Sequence, residues 1–187
     1  MLNRIKNYSL FTFLTFAILV FSFSATNAQK YSSNKTERTV EQKIFKKLLS
    51  LPYYGVFDHI AYQVNGNTVT LFGNVNNSIN KSGAENAVKR IEGVERVVNN
   101  INILPPSSFD NTIRFQLVRS LANSGGLYRY LQEPNPSVRL IVKNGRVALE
   151  GYVANRSDAN LMNILANGIP GVFNVQNNLI VERDLAR

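Results

Sequence analysis

The feature that most constrains this chain is an internal repeat. Val69-Thr70-Leu71-Phe72-Gly73-Asn74-Val75 reads against Val147-Ala148-Leu149-Glu150-Gly151-Tyr152-Val153, an offset of 78 residues. The same offset, without a gap, carries Ile91-Glu92-Gly93-Val94 onto Ile169-Pro170-Gly171-Val172, and Val97-Val98-Asn99-Asn100-Ile101 onto Val175-Gln176-Asn177-Asn178-Leu179. Upstream it places Ile60, Tyr62 and Val64 on Val138, Leu140 and Val142. A register that holds from Ile60 to Ile103 marks a tandem duplication, so one small fold has to be explained twice. The copies join at Leu104-Pro105-Pro106-Ser107, where two prolines favour an extended connector.

Each copy has the same plan. Val40, Ile44 and Leu48 recur at helical spacing, and Pro52 ends that helix. Ile60, Tyr62 and Val64 alternate as a strand, Asn65-Gly66-Asn67 supplies a turn, and Val69, Leu71, Gly73 and Val75 alternate as a second strand. Ala84, Ala87, Val88 and Ile91 mark a second helix, Gly93 stops it, and Val97, Asn99, Ile101 and Ile103 form a third strand. The second copy restates this with Ile113, Leu117 and Leu121 on its first helix and Asn144-Gly145 at its hairpin. The expected class is α+β: two tandem αββαβ modules, each a small three-stranded mixed sheet covered by two helices. Inward positions are Ile60, Tyr62, Val69, Leu71 and Ile101 in the first module, and Val138, Leu140, Val147, Leu149 and Leu179 in the second. Gly66, Gly73, Gly93, Gly145, Gly151 and Gly171 read as structural glycines at turns, helix ends and a strand interruption.

The N-terminus fixes the expected compartment. Arg4 and Lys6 precede an apolar run from Leu10 to Phe23, and Ser24-Ala25-Thr26-Asn27-Ala28 is a small-residue cleavage stretch. The run is shorter than the roughly 20 residues of a spanning helix. The domains expected are a signal peptide at 1–28, a polar leader at 29–35, a first module at 36–104, a linker at 105–107 and a second module at 108–184. The chain has no cysteine, so disulfides and thiolate metal sites are excluded. Removing Arg4 and Lys6 from the 21 basic residues leaves 19 against 12 acidic, a net of +7 that suits a partner rich in phosphate or carboxylate and equally suits simple solubility.

Little points to catalysis. His59 is the sole histidine, and the sister module has Ser137 in its place, so His59→Ala is expected to leave fold and function intact. No Asp or Glu cluster has metal-ligand spacing. Gly168-Ile169-Pro170-Gly171 fits a nucleic-acid-clamping Gly-x-x-Gly, but the first copy keeps only Gly93, so turn geometry explains it better. Asn99-Asn100 and Asn177-Asn178 read as side chains that satisfy backbone groups near the third strand. The copies differ most between the first helix and first strand, where the second has Leu127-Tyr128-Arg129-Tyr130-Leu131 after Gly125-Gly126. Two readings of that stretch stand: apolar residues packed under a loop, or tyrosines and arginine meeting a membrane surface. The membrane reading makes Arg114, Arg119, Leu127, Tyr128, Arg129 and Tyr130 the lipid-binding set. It expects that changing Tyr128, Arg129 and Tyr130 together to Ser weakens vesicle binding without altering the fold.

The Asn-Gly turn, the Val-x-Leu-x-Gly-x-Val strand and the Gly-Val-x-x-Val-x-Asn-x-Ile ending between Val64 and Ile103 resemble a BON domain, and Lys143 to Val181 resembles a second. The family is named for bacterial osmotically inducible and nodulation proteins. The resemblance implies a non-catalytic protein of the periplasm or envelope that binds phospholipid or other envelope components. With the basic charge and the export signal, the expected partner is anionic phospholipid and not nucleic acid, with no cofactor or metal, and the expected role is envelope integrity under osmotic or other stress. The alternative it leaves open is a protein-interaction or chaperone-like module for exported envelope proteins.

Overall fold

The computed structural model describes residues 39–132 and 134–182. The signal peptide and leader expected at 1–35 lie outside the described residues. All six strands lie in the compact unit that begins at Lys43. Helix α1 spans 39–49 and stops before Pro52, whose ring cannot continue it. Then come β1 (His59–Asn65), β2 (Thr68–Val75), α2 (Ser78–Lys89) and β3 (Arg96–Ile103). The second copy supplies α3 (Ser108–Ala122), a 3-10 turn (Leu127–Tyr130), β4 (Val138–Lys143), β5 (Arg146–Val153), α4 (Arg156–Asn167) and β6 (Asn174–Val181). Both sheets are mixed: β2 pairs antiparallel with β1 and parallel with β3, and β5 does the same with β4 and β6. The αββαβ order expected from the repeat is the order observed.

Alternation sets which side chains enter each core. Ile60, Val69, Leu71 and Ile101 are buried in the first module, as are Val138, Leu140, Val147 and Leu149 in the second. Tyr62 and Leu179 point the same way but are half-buried. Leu179 lies on β6, at the margin of its sheet, and packs against the core without being enclosed. Gly73 and Gly151 pair across the hairpins with Ile60 and Val138, at φ +120° and +111°. A Cβ at either would overlap the carbonyl oxygen of the facing strand, His59 O or Ser137 O. Only glycine permits both that approach and that φ.

The asparagines repeat their roles to the atom. Asn77 and Asn155 cap α2 and α4, accepting from the N–H of Asn80 and Asp158. Asn99 Nδ2 donates to Lys81 O (3.0 Å) and Asn177 Nδ2 to Ala159 O (3.2 Å), fastening each third strand to its helix. Their Oδ1 atoms accept from Ile101 N and Leu179 N, both at 3.2 Å.

The two sheets are not equally covered. In β4, Val138 through Val142 are all buried, including the residues that face away from their own core, Arg139 and Ile141. The first module provides that cover. Leu140 N donates to Val56 O (2.7 Å), and Arg139 Nη1 donates to Gly55 O (2.7 Å) while its guanidinium stacks 4.2 Å from the centre of the Tyr54 ring. Val56 and Phe57 pack against the second core. The loop between α1 and β1 therefore caps the open edge of β4, which would otherwise present unpaired backbone groups.

Candidate functional site

The stretch singled out by the divergence of the copies divides into an inner and an outer half. Gly125 and Gly126, at φ +54° and +78°, turn the chain from α3 into the 3-10 turn. Leu127 and Leu131 fall into the second core, as does the ring of Tyr130. The Tyr130 hydroxyl accepts from Ala154 N (3.1 Å) and donates to Asp158 Oδ2 (2.5 Å). Arg129 lies over the Tyr130 ring, 4.7 Å from its centre, and pairs with Asp158. The hydrogen bond to Tyr130 is the main reason that its guanidinium holds its proton more tightly than usual.

Arg114, Leu127 and Tyr130 were expected at a lipid surface, and the structure corrects all three. Leu127 is wholly enclosed. Tyr130 is a bonded core residue. Arg114 is only 4% exposed; it donates to Val142 O (2.7 Å) and to Asn111 Oδ1, so its charge is spent inside the fold. Burial lowers its pKa, with Asp110 opposing that shift. A cation so placed supports β4 and α3 and does not meet a headgroup.

What remains outside is a different set. Tyr128 and Arg119 are exposed, and Arg129 is half-exposed. Sequence reasoning missed Phe115, 82% exposed on α3, with Arg119 one turn further along the same face. Asn111, Thr112, Phe115, Gln116 and Arg119 line a shallow depression there. A signal existed: Phe115 falls off the Ile113–Leu117–Leu121 stripe, and a phenylalanine on the polar face of an amphipathic helix is out of place. The His59 ring is half-buried in the first module, and burial is the first cause lowering its pKa, with Glu150 opposing and Arg139 reinforcing the shift. Among the described residues no group of three or more His, Cys, Asp or Glu side chains could hold a metal ion.

Two tandem αββαβ modules, with side-chain tethers repeated at an offset of 78, define a duplicated small-domain protein. Residues 36–105 and 109–183 each match the BON domain, and the chain belongs to that family. Two solved structures of CdsD, a structural protein of the Type III secretion system of Chlamydia trachomatis, are similar at 16% identity. The first, its C-terminal domain, covers 75% of this chain and 96% of its own, with a TM-score of 0.27; the second covers 79% and 96%, with a TM-score of 0.28. No curated protein matches the chain.

Proposed function

We propose that the protein is a non-catalytic binding protein of the cell envelope that associates with anionic phospholipid surfaces through the outer face of α3 and the neighbouring turn. Membership of the BON family supports the envelope location, as does the export-type N-terminal sequence. The observation that carries the membrane reading is Phe115, 82% exposed beside Arg119 on one helix face. An aromatic ring at headgroup depth with a guanidinium on phosphate is a common pairing for peripheral attachment. Tyr128 and Arg129 extend the same chemistry beyond the helix. Each basic residue near an anionic surface contributes about 1 kcal/mol, and Arg129 is already paired with Asp158, so attachment resting mainly on Arg119 is weak and reversible.

Co-flotation with phosphatidylglycerol vesicles tests this, with phosphatidylcholine vesicles as the control and low and high salt compared. The expected result is binding to the anionic vesicles alone, lost at high salt and lost in Phe115→Ser/Arg119→Ser. Replacing Tyr128, Arg129 and Tyr130 together does not isolate the surface, because Tyr130 holds the fold; Tyr128→Ser alone does. Absence of vesicle binding at every salt concentration would overturn the reading and leave recruitment of exported polypeptides at the open margins β3 and β6 as the function to pursue.

A further inference from the structure

On the face of the second sheet turned away from its core lies a cleft of ≈600 Å3, within the usual range of ligand sites. Its floor is short and apolar, from Ile141 on β4 and Ala148 on β5. Lys143 and Arg146 stand at one end, Phe173 is beside them, Asn174 and Gln176 line the β6 side, and Asn74 of the first module contributes to the opposite wall. We propose that this cleft binds an anionic oligosaccharide, a sugar chain carrying carboxylate or phosphate groups.

Charge is the first argument. Lys143 and Arg146 are direct cross-strand partners, so two like charges face each other across the hairpin, an arrangement that is itself destabilising. Neither has an ion pair among the described residues, and no carboxylate lines the cleft. Glu150, further along the same face, accepts a hydrogen bond from Asn178. The corresponding residues of the first module are Asn65 and Thr68, both neutral, so the duplicated fold does not require the paired cations.

Hydrogen-bonding chemistry is the second. The side chains of Asn74, Asn174 and Gln176 have no hydrogen bond among the described residues. A carboxamide offers both donors and an acceptor, which matches hydroxyl groups that do both. The third argument is the aromatic rim. Phe173 is 77% exposed and stacks on Phe109 with centroids 6.3 Å apart and planes at 28°. That leaves an open ring face for the C–H side of a sugar. Its counterpart in the first module is Glu95, which accepts from Asn67 (2.7 Å). The floor itself gives an extended peptide no backbone partner, because β5 is paired on both sides. The proposal is independent of the α3 surface.

Calorimetric titration with galacturonate hexamers, using neutral cellohexaose and hexaglutamate as comparisons, tests it. Galacturonate is expected to bind, cellohexaose not, and hexaglutamate more weakly. Lys143→Glu/Arg146→Glu should weaken galacturonate binding by at least about tenfold, as expected for two charged hydrogen bonds. Phe173→Ala should weaken galacturonate but not hexaglutamate, and it provides the test should the double variant melt early. Phosphatidylglycerol vesicle binding should survive in both variants. No galacturonate binding by the parent protein, or equal binding of hexaglutamate with no effect of Phe173→Ala, would overturn the proposal. So would loss of vesicle binding in Lys143→Glu/Arg146→Glu, which assigns the cleft to lipid headgroups.

Discussion

The N–H that enters α2 at Asn76 donates to Asp58 Oδ1 (2.6 Å), whereas its counterpart in the second module, Ala154, donates to the Tyr130 hydroxyl. In the first module the acid comes from the loop and the amide from the helix: Asp58 also accepts from Gly55 N (3.0 Å) and from Asn80 Nδ2 (3.0 Å). In the second the positions are exchanged. The loop gives a phenol, the helix gives Asp158 in place of Asn80, and Arg129 neutralises it. The same backbone need is met by two different polar networks, both turned largely inward. Divergence in this loop therefore reflects how each module closes, and a surface role has to be argued residue by residue.

The comparison can be pressed hardest at the glycine both modules share. Gly73→Ala and Gly151→Ala should each cost about 4 kcal/mol, because positive φ and overlap with a facing carbonyl combine. Unfolding free energies from urea titration that differ by more than about 1 kcal/mol between the two would show that the modules do not rely equally on that approach. Asp58→Ala should follow at about 3 kcal/mol, since it strands two part-buried backbone N–H groups and removes one of the two bonds that the buried Asn80 amide donates, the other going to Tyr53 O. Arg139→Ala should cost about 2 kcal/mol by removing the stacking on Tyr54 and the bond to Gly55 O, whereas Ala61→Arg, at the matching place in β1, should stay within about 0.5 kcal/mol. Tyr130→Phe should cost about 1.5 kcal/mol, the loss of three hydrogen bonds, to Ala154, Asp158 and Arg129, with the ring retained.

The smallest effect concerns pH. Burial holds the His59 imidazole below its ordinary value of 6.5, so the unfolded chain takes up that proton first. Stability from His59 is complete above that value and falls as pH drops below it. His59→Ala should flatten this slope between neutral and mildly acidic pH, measured as urea midpoints, while Ser137 in the sister module contributes no slope at all.

Periodicity and the repeat made the strands, their inward positions and the hairpins readable, because a period of two leaves only one register with an apolar face. The six glycines were readable from their repeated places at turns, helix ends and a strand interruption, and all six have positive φ. Arg114 was not readable. It sits next to Ile113 on the edge of the helical stripe, and only the carbonyl of Val142, 28 residues away, decides that it goes inward. Tyr130 and Asp158 are equally distant in sequence. The offset did hold a clue: Asp158 replaces Asn80, a polar residue buried on its helix. The cover that Tyr54 to Phe57 give β4 was invisible, since an apolar loop shows no period to say which sheet it meets.

The exchanged acid has a consequence during folding. A chain containing two copies of one fold risks assembling a hybrid, with the loop of one module closing on the helix of the other. Closing the first loop on α4 would bring Asp58 against Asp158, two carboxylates in one partly buried spot, where both cannot stay ionised without strain. Closing the second loop on α2 would set Tyr130 against Asn80 and leave Arg129 without its acid. Each mismatch forfeits the charge arrangement that the correct pairing obtains, so the differing closures act as keys that keep two similarly folded halves from being exchanged.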